Sequence, residues 1–154
     1  MHSQDILKSD IYQNMKIYTQ HGNTSCYEHC LRVAFLALLL AIWIEKKFHK
    51  KFNHRDIVRA ALLHDFFLYD WHTYKKFEIK ELLHLTQMHG FTHPQIALNN
   101  AKKHFDINKY QEDIILHHMW PLTIKPPKYN QSYIIILIDK YCSIIEMIKN
   151  KKRP

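Results

Sequence analysis

Two glycines in 154 residues leave little material for tight turns. Hairpins with short loops lean on glycine, so a sheet-rich fold is disfavoured. A phosphate-cradling glycine loop has nothing to be built from, and no Gly-x-Ser-x-Gly elbow offers a serine nucleophile. The three cysteines, Cys26, Cys30 and Cys142, show no Cys-x-x-Cys spacing, which speaks against the usual structural zinc site. An odd cysteine count fits a reducing cytosol better than a disulfide framework. Met1-His2-Ser3-Gln4-Asp5 lacks the apolar centre of a signal peptide. The longest apolar run, Val33 to Ile44, holds 12 residues and falls short of a bilayer span. A cytoplasmic chain without a membrane segment is therefore expected.

What is present argues for a packed core. Apolar residues make up 47% of the chain, too many for disorder, and the length suits one domain over 1–154 with its core at about 25–148. Lysine and arginine outnumber acidic residues 22 to 14, for a formal charge of +8. The lysines are scattered, and the one dense run, Lys149-Asn150-Lys151-Lys152-Arg153, reads as a frayed terminus. Nucleic acid is thus not the expected partner; the charge would instead draw an anionic small molecule.

Apolar periodicity predicts helices over 5–19, 26–47, 54–66, 93–105, 109–118 and 132–149, an all-α bundle of about six helices. Gly22-Asn23-Thr24-Ser25 separates the first two and supplies capping side chains. Asn53 and Asn108 read as N-caps, and Pro94 as a first helical position. Phe66 to Lys76 reads as aromatic and irregular, and 77–92 as a loop with a short helix around 80–85. In the last helix Ile135, Ile136, Asp139, Cys142, Ile145 and Met147 are expected to point inward. Ile134-Ile135-Ile136 is β-prone, yet the apolar pattern continues through 148 without a turn signal.

His64-Asp65 ends the apolar stretch Ala60-Ala61-Leu62-Leu63. A histidine and a carboxylate side by side in such a helix are costly unless something binds them. A buried histidine alone is more often satisfied by a backbone carbonyl, and a buried aspartate by a lysine or arginine. One shared cation would account for His29, His64, Asp65, His93, His118 and Asp139 together, since all six fall on helical stripes. Mixed imidazole and carboxylate ligands suit iron, manganese, cobalt, nickel or zinc better than calcium.

The order of these residues resembles the HD-domain superfamily of metal-dependent phosphohydrolases, and within it small bacterial single-domain members. That family's pattern is a His, an adjacent His-Asp pair, often two further His, and an Asp on a late helix. Here the order is His29, His64-Asp65, His93, His118 and Asp139, spread over about 25–145. Arg59-Ala-Ala-Leu-Leu-His-Asp65 is similar to the family's ALLHD segment. Ile115-Leu-His-His118 is similar to its I-x-x-H, and His93-Pro-Gln-Ile-Ala97 to the start of its third-histidine helix.

The resemblance implies one or two divalent metal ions. His29, His64, Asp65 and Asp139 would hold the first, and Asp65, the residue assigned a catalytic role, would bridge to a second held by His93 and His118. Two such ions acidify a water and clamp phosphoryl oxygens. Hydrolysis of a small phosphate ester or anhydride is then expected, with a nucleotide or related metabolite as substrate. The family's lysine after the His-Asp pair is missing, because Phe66-Phe67-Leu68-Tyr69-Asp70-Trp71-His72 stands there. Arg32, Lys140, Lys125 or Lys128 would have to supply that charge, and His117 is a further candidate for substrate contact. His89 competes with His93 as a ligand. Tyr69, Trp71 and Trp120 are candidate base-stacking residues, although core lids are the commoner use. Two alternatives share the ligand types: a di-iron oxygenase of the same fold, and a non-catalytic sensor or adaptor. A homo-oligomer is compatible with the sequence.

Overall fold

The computed structural model describes residues 3–70 and 89–151. Near the N-terminus, the helix expected over 5–19 is broken into α1 (Gln4–Leu7), α2 (Asp10–Gln13) and a 3-10 turn at Asn14–Lys16. Ser9 and Asn14 stand at the breaks, residue types of modest helix propensity that favour caps and turns, although Ser9 makes no side-chain capping bond. Ser9 is extended, at φ −74° and ψ 127°. Tyr12 fastens this segment to the core by donating from its hydroxyl to the Leu62 carbonyl at 2.9 Å.

A small antiparallel hairpin follows, which the helix-only reading missed: β1 (Thr19–His21) pairs with β2 (Thr24–Ser25). One of the two glycines makes it, since Gly22 takes φ 60° in the turn.

α3 (Cys26–Phe48) opens with a capping box. Ser25 Oγ accepts from the Glu28 N–H at 3.2 Å, and the Glu28 carboxylate accepts from the Ser25 N–H at 3.0 Å. Left-handed His49, at φ 53°, ends the helix. Its inward face carries Cys26, His29, Cys30, Val33, Ala34, Ala37 and Ala41. The small residues on that face allow close approach of its main neighbours, α4 (His54–Leu63) and α7 (Asn130–Lys151). By length and composition the 23 residues of α3 would suffice to cross a membrane, more than the Val33–Ile44 run alone implied. Here the helix contributes to the bundle and to its polar centre.

α4 is the central element. The Asn53 side chain caps it, accepting from the N–H groups of Arg55 and Asp56. Ile57, Ala60, Ala61, Leu62 and Leu63 are all buried. Truncating Leu63 to alanine would cost about 2–5 kcal/mol. The helix ends at Leu63 rather than 66; Phe66 N–H bonds back to the Leu63 carbonyl, and Phe67 N–H to that of Asp65.

α5 (His89–His104) begins before His93, so Pro94 lies inside the helix and not at its first position. α6 (Lys109–His117) is capped by Asn108, and α7 starts at Asn130 rather than 132. Among the described residues there are thus seven α-helices, a mostly-α bundle as expected. The short helix expected at 80–85 lies outside the described residues.

Asp113, on α6, ties the start of α7 in place. Its carboxylate accepts from the N–H groups of Lys128 (3.0 and 3.1 Å) and Tyr129 (3.2 Å) and from the Ser132 hydroxyl (2.6 Å). The His117 ring sits 3.1 Å from its other side. Both oxygens of the Asp113 carboxylate are thereby matched by hydrogen bonds.

Candidate metal centre

Three helix features place the central donors. His29 lies one turn into α3, on its buried face. His64 and His118 are the C-caps of α4 and α6. In each cap the ring folds back, and its Nδ1 bonds the carbonyl three residues earlier: Ala61 for His64 and Ile115 for His118, both at 2.8 Å. A carbonyl can only accept, so Nδ1 carries the proton and Nε2 turns inward. Second-partner bonds of this kind are how proteins orient imidazole ligands. α5 supplies His93 and α7 supplies Asp139.

The donor atoms form two groups that share Asp65. Its Oδ2 faces the first: 3.3 Å to His64 Nε2 and 3.8 Å to His29 Nε2. Asp139 Oδ1 completes that group, 3.0 Å from His29 Nε2 and 3.5 Å from His64 Nε2. Asp65 Oδ1 faces the second: 3.3 Å to His93 Nε2 and 3.4 Å to His118 Nε2. Those two ring nitrogens are 2.8 Å apart. Ligands about 2.0–2.2 Å from one ion sit roughly 3 Å from each other, so these separations fit shared cations.

Satisfaction of the donors makes the same point. All six residues are buried, yet His64 Nε2 and Asp65 Oδ1 have no hydrogen-bond partner. Leaving such atoms unpaired in the interior costs about 1–3 kcal/mol each, more if charged. A divalent ion would satisfy both. The residues present therefore fit a divalent metal at each group, with Asp65 between them.

Electrostatics follow from the crowding. Burial opposes charge on His29, but hydrogen bonds to Asp139 and Glu146 outweigh it and push its pKa up to about 10. Burial likewise opposes charge on His64, and the adjacent Asp65 drives its pKa well above the usual value. Burial would raise Asp65; the charge of His64 and the close imidazoles of His118, His64 and His93 instead hold it well below the carboxylate range. Asp139 is lowered against burial by His29 and His64. His118 is lowered by burial itself. Without a metal, protons on His29 and His64 thus stand in for the positive charge that Asp65 and Asp139 require.

Two contributors escaped the sequence reading. Glu146, only 2% exposed, accepts at 2.9 Å from His29 Nδ1 and is clasped by the Arg32 guanidinium. It occupies the inward stripe of α7 two turns after Asp139, where Met147 was expected; Met147 is instead 49% exposed. The signal was available as Asp139, Cys142 and Glu146 at i, i+3, i+7, paired with His29 and Arg32 at i, i+3. Gln20, on β1, donates to Asp65 Oδ2 at 2.6 Å. Nothing in the periodicity pointed to it, because the hairpin was not foreseen.

The remaining candidates separate cleanly. Lys140 lines a cavity of about 620 Å³ over the cluster, and burial lowers its pKa. Arg32 is spent on Glu146, and His117 turns to Asp113, its Nδ1 also bonding the Asp113 carbonyl at 3.0 Å. Neither lines the cavity. The Lys128 ammonium lies over the Tyr129 ring. Tyr69 packs on Phe67 and Trp120 on Tyr133, and neither is among the described residues that line the cavity. Trp71 and the side chain of His89 lie outside the described residues.

Comparison with known proteins agrees with this geometry. Residues 26–144 match the family model described as HD domain, and the chain belongs to that family. The match places it in the superfamily of metal-dependent phosphohydrolases, whose members bind divalent metals. No curated protein and no solved structure matches the chain.

Proposed function

We propose that this chain is a metal-dependent phosphohydrolase acting on a small phosphate ester or anhydride, with nucleotides and related metabolites the first class to assay. One observation carries the reading: the two oxygens of Asp65 face two separate donor groups. A pair of divalent ions held there would supply Lewis acidity and an acidified water between them. His64 and His118 present Nε2 from capped helix ends, while Gln20 and Glu146 hold Asp65 and His29 in place. Lys140, beside Asp139 in the cavity wall, would receive a phosphoryl oxygen. None of the six donors is displaced from the cluster, which supports a working site over a sensor role. The three free, buried cysteines support a reducing, cytoplasmic setting.

Elemental analysis of the purified protein is the first test, with one or two ions per chain expected. Phosphate release from a panel of phosphorylated metabolites with Mn²⁺ or Fe²⁺ should follow, be lost on chelation and return with metal. Two bound irons with oxygen consumption, and no phosphate released from any substrate, would sink the hydrolase reading in favour of an oxygenase.

A further inference from the structure

The cavity over the cluster is built of two unlike surfaces. Its floor holds Asp65, His93, His118 and Asp139. Above them the wall is Met119, Leu122, Ile144 and Met147. Leu122, Ile144 and Met147 are 49%, 52% and 49% exposed, so their apolar surface is open to whatever enters. Gly90 makes room for this wall: a Cβ there would lie 3.1 Å from Leu122 Cδ2.

Polar recognition is scarce by contrast among the described lining residues. The described lining residues other than the donors include only Gln20, His21, Lys140 and Ser143 as polar groups. Gln20 is committed on both sides, donating to Asp65 and accepting from Cys26 Sγ at 3.3 Å. The His21 ring meets that of His29 edge-on at 5.8 Å. Among the described lining residues there is no Phe, Tyr or Trp to stack a base. A nucleobase carries several polar edge atoms, and leaving these unpaired against Leu, Ile and Met is unfavourable.

We propose that the cavity selects phosphate monoesters of apolar alcohols, alkyl or aryl, over nucleotides. The phosphate lies at the cluster beside Lys140, and the organic group lies against Met119, Leu122, Ile144 and Met147. This rests on the phosphohydrolase reading and narrows it. In the reaction, the oxygen of water forms a new bond to phosphorus as the ester P–O bond breaks. One water proton passes to the departing alkoxide and the other stays with the phosphate, giving the alcohol and inorganic phosphate.

Two series test it on the metal-loaded full chain. Butyl, hexyl and octyl phosphate report hydrolysis; the matching alkylphosphonates, which cannot be cleaved there, report binding by calorimetry. Each added methylene is expected to improve kcat/KM and phosphonate affinity by roughly two- to fourfold. AMP should be hydrolysed less efficiently than hexyl phosphate. The variants Leu122→Asn and Met147→Gln, at half-exposed positions, should flatten both slopes. A slope in binding without any hydrolysis upholds the apolar recognition and removes the phosphohydrolase reading. Hydrolysis with a flat slope, or with AMP preferred, overturns the proposal and keeps the reading. A slope that persists unchanged in both variants places the apolar contact elsewhere and overturns it too.

Discussion

Two buried aspartate–histidine clusters lie within one fold, and they differ in how their atoms are satisfied. Asp113 meets His117, two backbone N–H groups and the Ser132 hydroxyl, so its carboxylate is saturated by the protein itself. Asp65 meets His64, His93 and His118, yet its Oδ1 and the Nε2 of His64 have no hydrogen-bond partner. Burial and residue type are alike in the two places. Only the second has donors that converge on shared space, with the other ring nitrogen of His29, His64 and His118 already committed. A buried Asp–His pair is thus no metal site by itself; the open valence distinguishes it.

Exchanging the fates of the two aspartates gives the largest expected effects. Asp65→Ala should lose most of the bound metal, measured by elemental analysis after desalting. Asp113→Ala should keep the metal and lose about 1–3 kcal/mol of stability in urea titration, because it leaves the buried Ser132 hydroxyl and two part-buried N–H groups without their acceptor. If Asp65→Ala retained full metal, Asp65 would not be a ligand. If Asp113→Ala lost metal without losing stability, the two clusters would not be distinct in kind.

A smaller effect is expected one bond out from the donors. Glu146→Gln leaves an acceptor for His29 but removes its charge. Metal affinity should fall roughly 10- to 100-fold in a chelator competition, with helix content by circular dichroism unchanged. An unaltered affinity would reduce Glu146 to a partner of Arg32 alone.

The pH response sharpens the same contrast. In the metal-free protein His29 is raised to about 10 from an unfolded value near 6.5. Its stabilising contribution is therefore complete below about pH 6.5 and is lost as pH rises towards 10. A metal needs the neutral imidazole, so its binding expels that proton and strengthens over the same window. The gap in unfolding free energy between loaded and chelated protein, read from urea titrations, should widen from pH 6.5 to 9, by up to about 1.4 kcal/mol per pH unit for one proton. A constant gap would mean that His29 is already neutral before metal arrives.

The helices of the bundle were legible because apolar spacing at 3.6 residues survives from Val33 to Ile138 and beyond. Asn53 and Asn108 mark helix starts by the chemistry of their side chains, and the structure uses them so. The N-terminal segment was not legible as a hairpin, because Thr19–His21 is too short to show a period of two. Pro94 misled, since a proline near a helix start is compatible with more than one register. Within the site, the six donors were visible as polar residues in apolar stripes. Glu146 was not singled out, because a carboxylate inside is recognised most readily with its partner, and His29 is 117 positions away.

His64 and His118 make the length of a helix into a ruler. Each ring is aimed by a bond to the carbonyl three residues before it, at the place where the helix stops. One residue added between Asn53 and His64 would turn everything after it by about 100° and swing His64 off the centre, or push the start of the helix out of its cap. The loop at 49–53 has no such reading frame to keep. Length variation in this chain should accordingly collect between helices. It should spare the short count from cap to ring in α4 and α6, even where the apolar residues along the way are exchanged for one another.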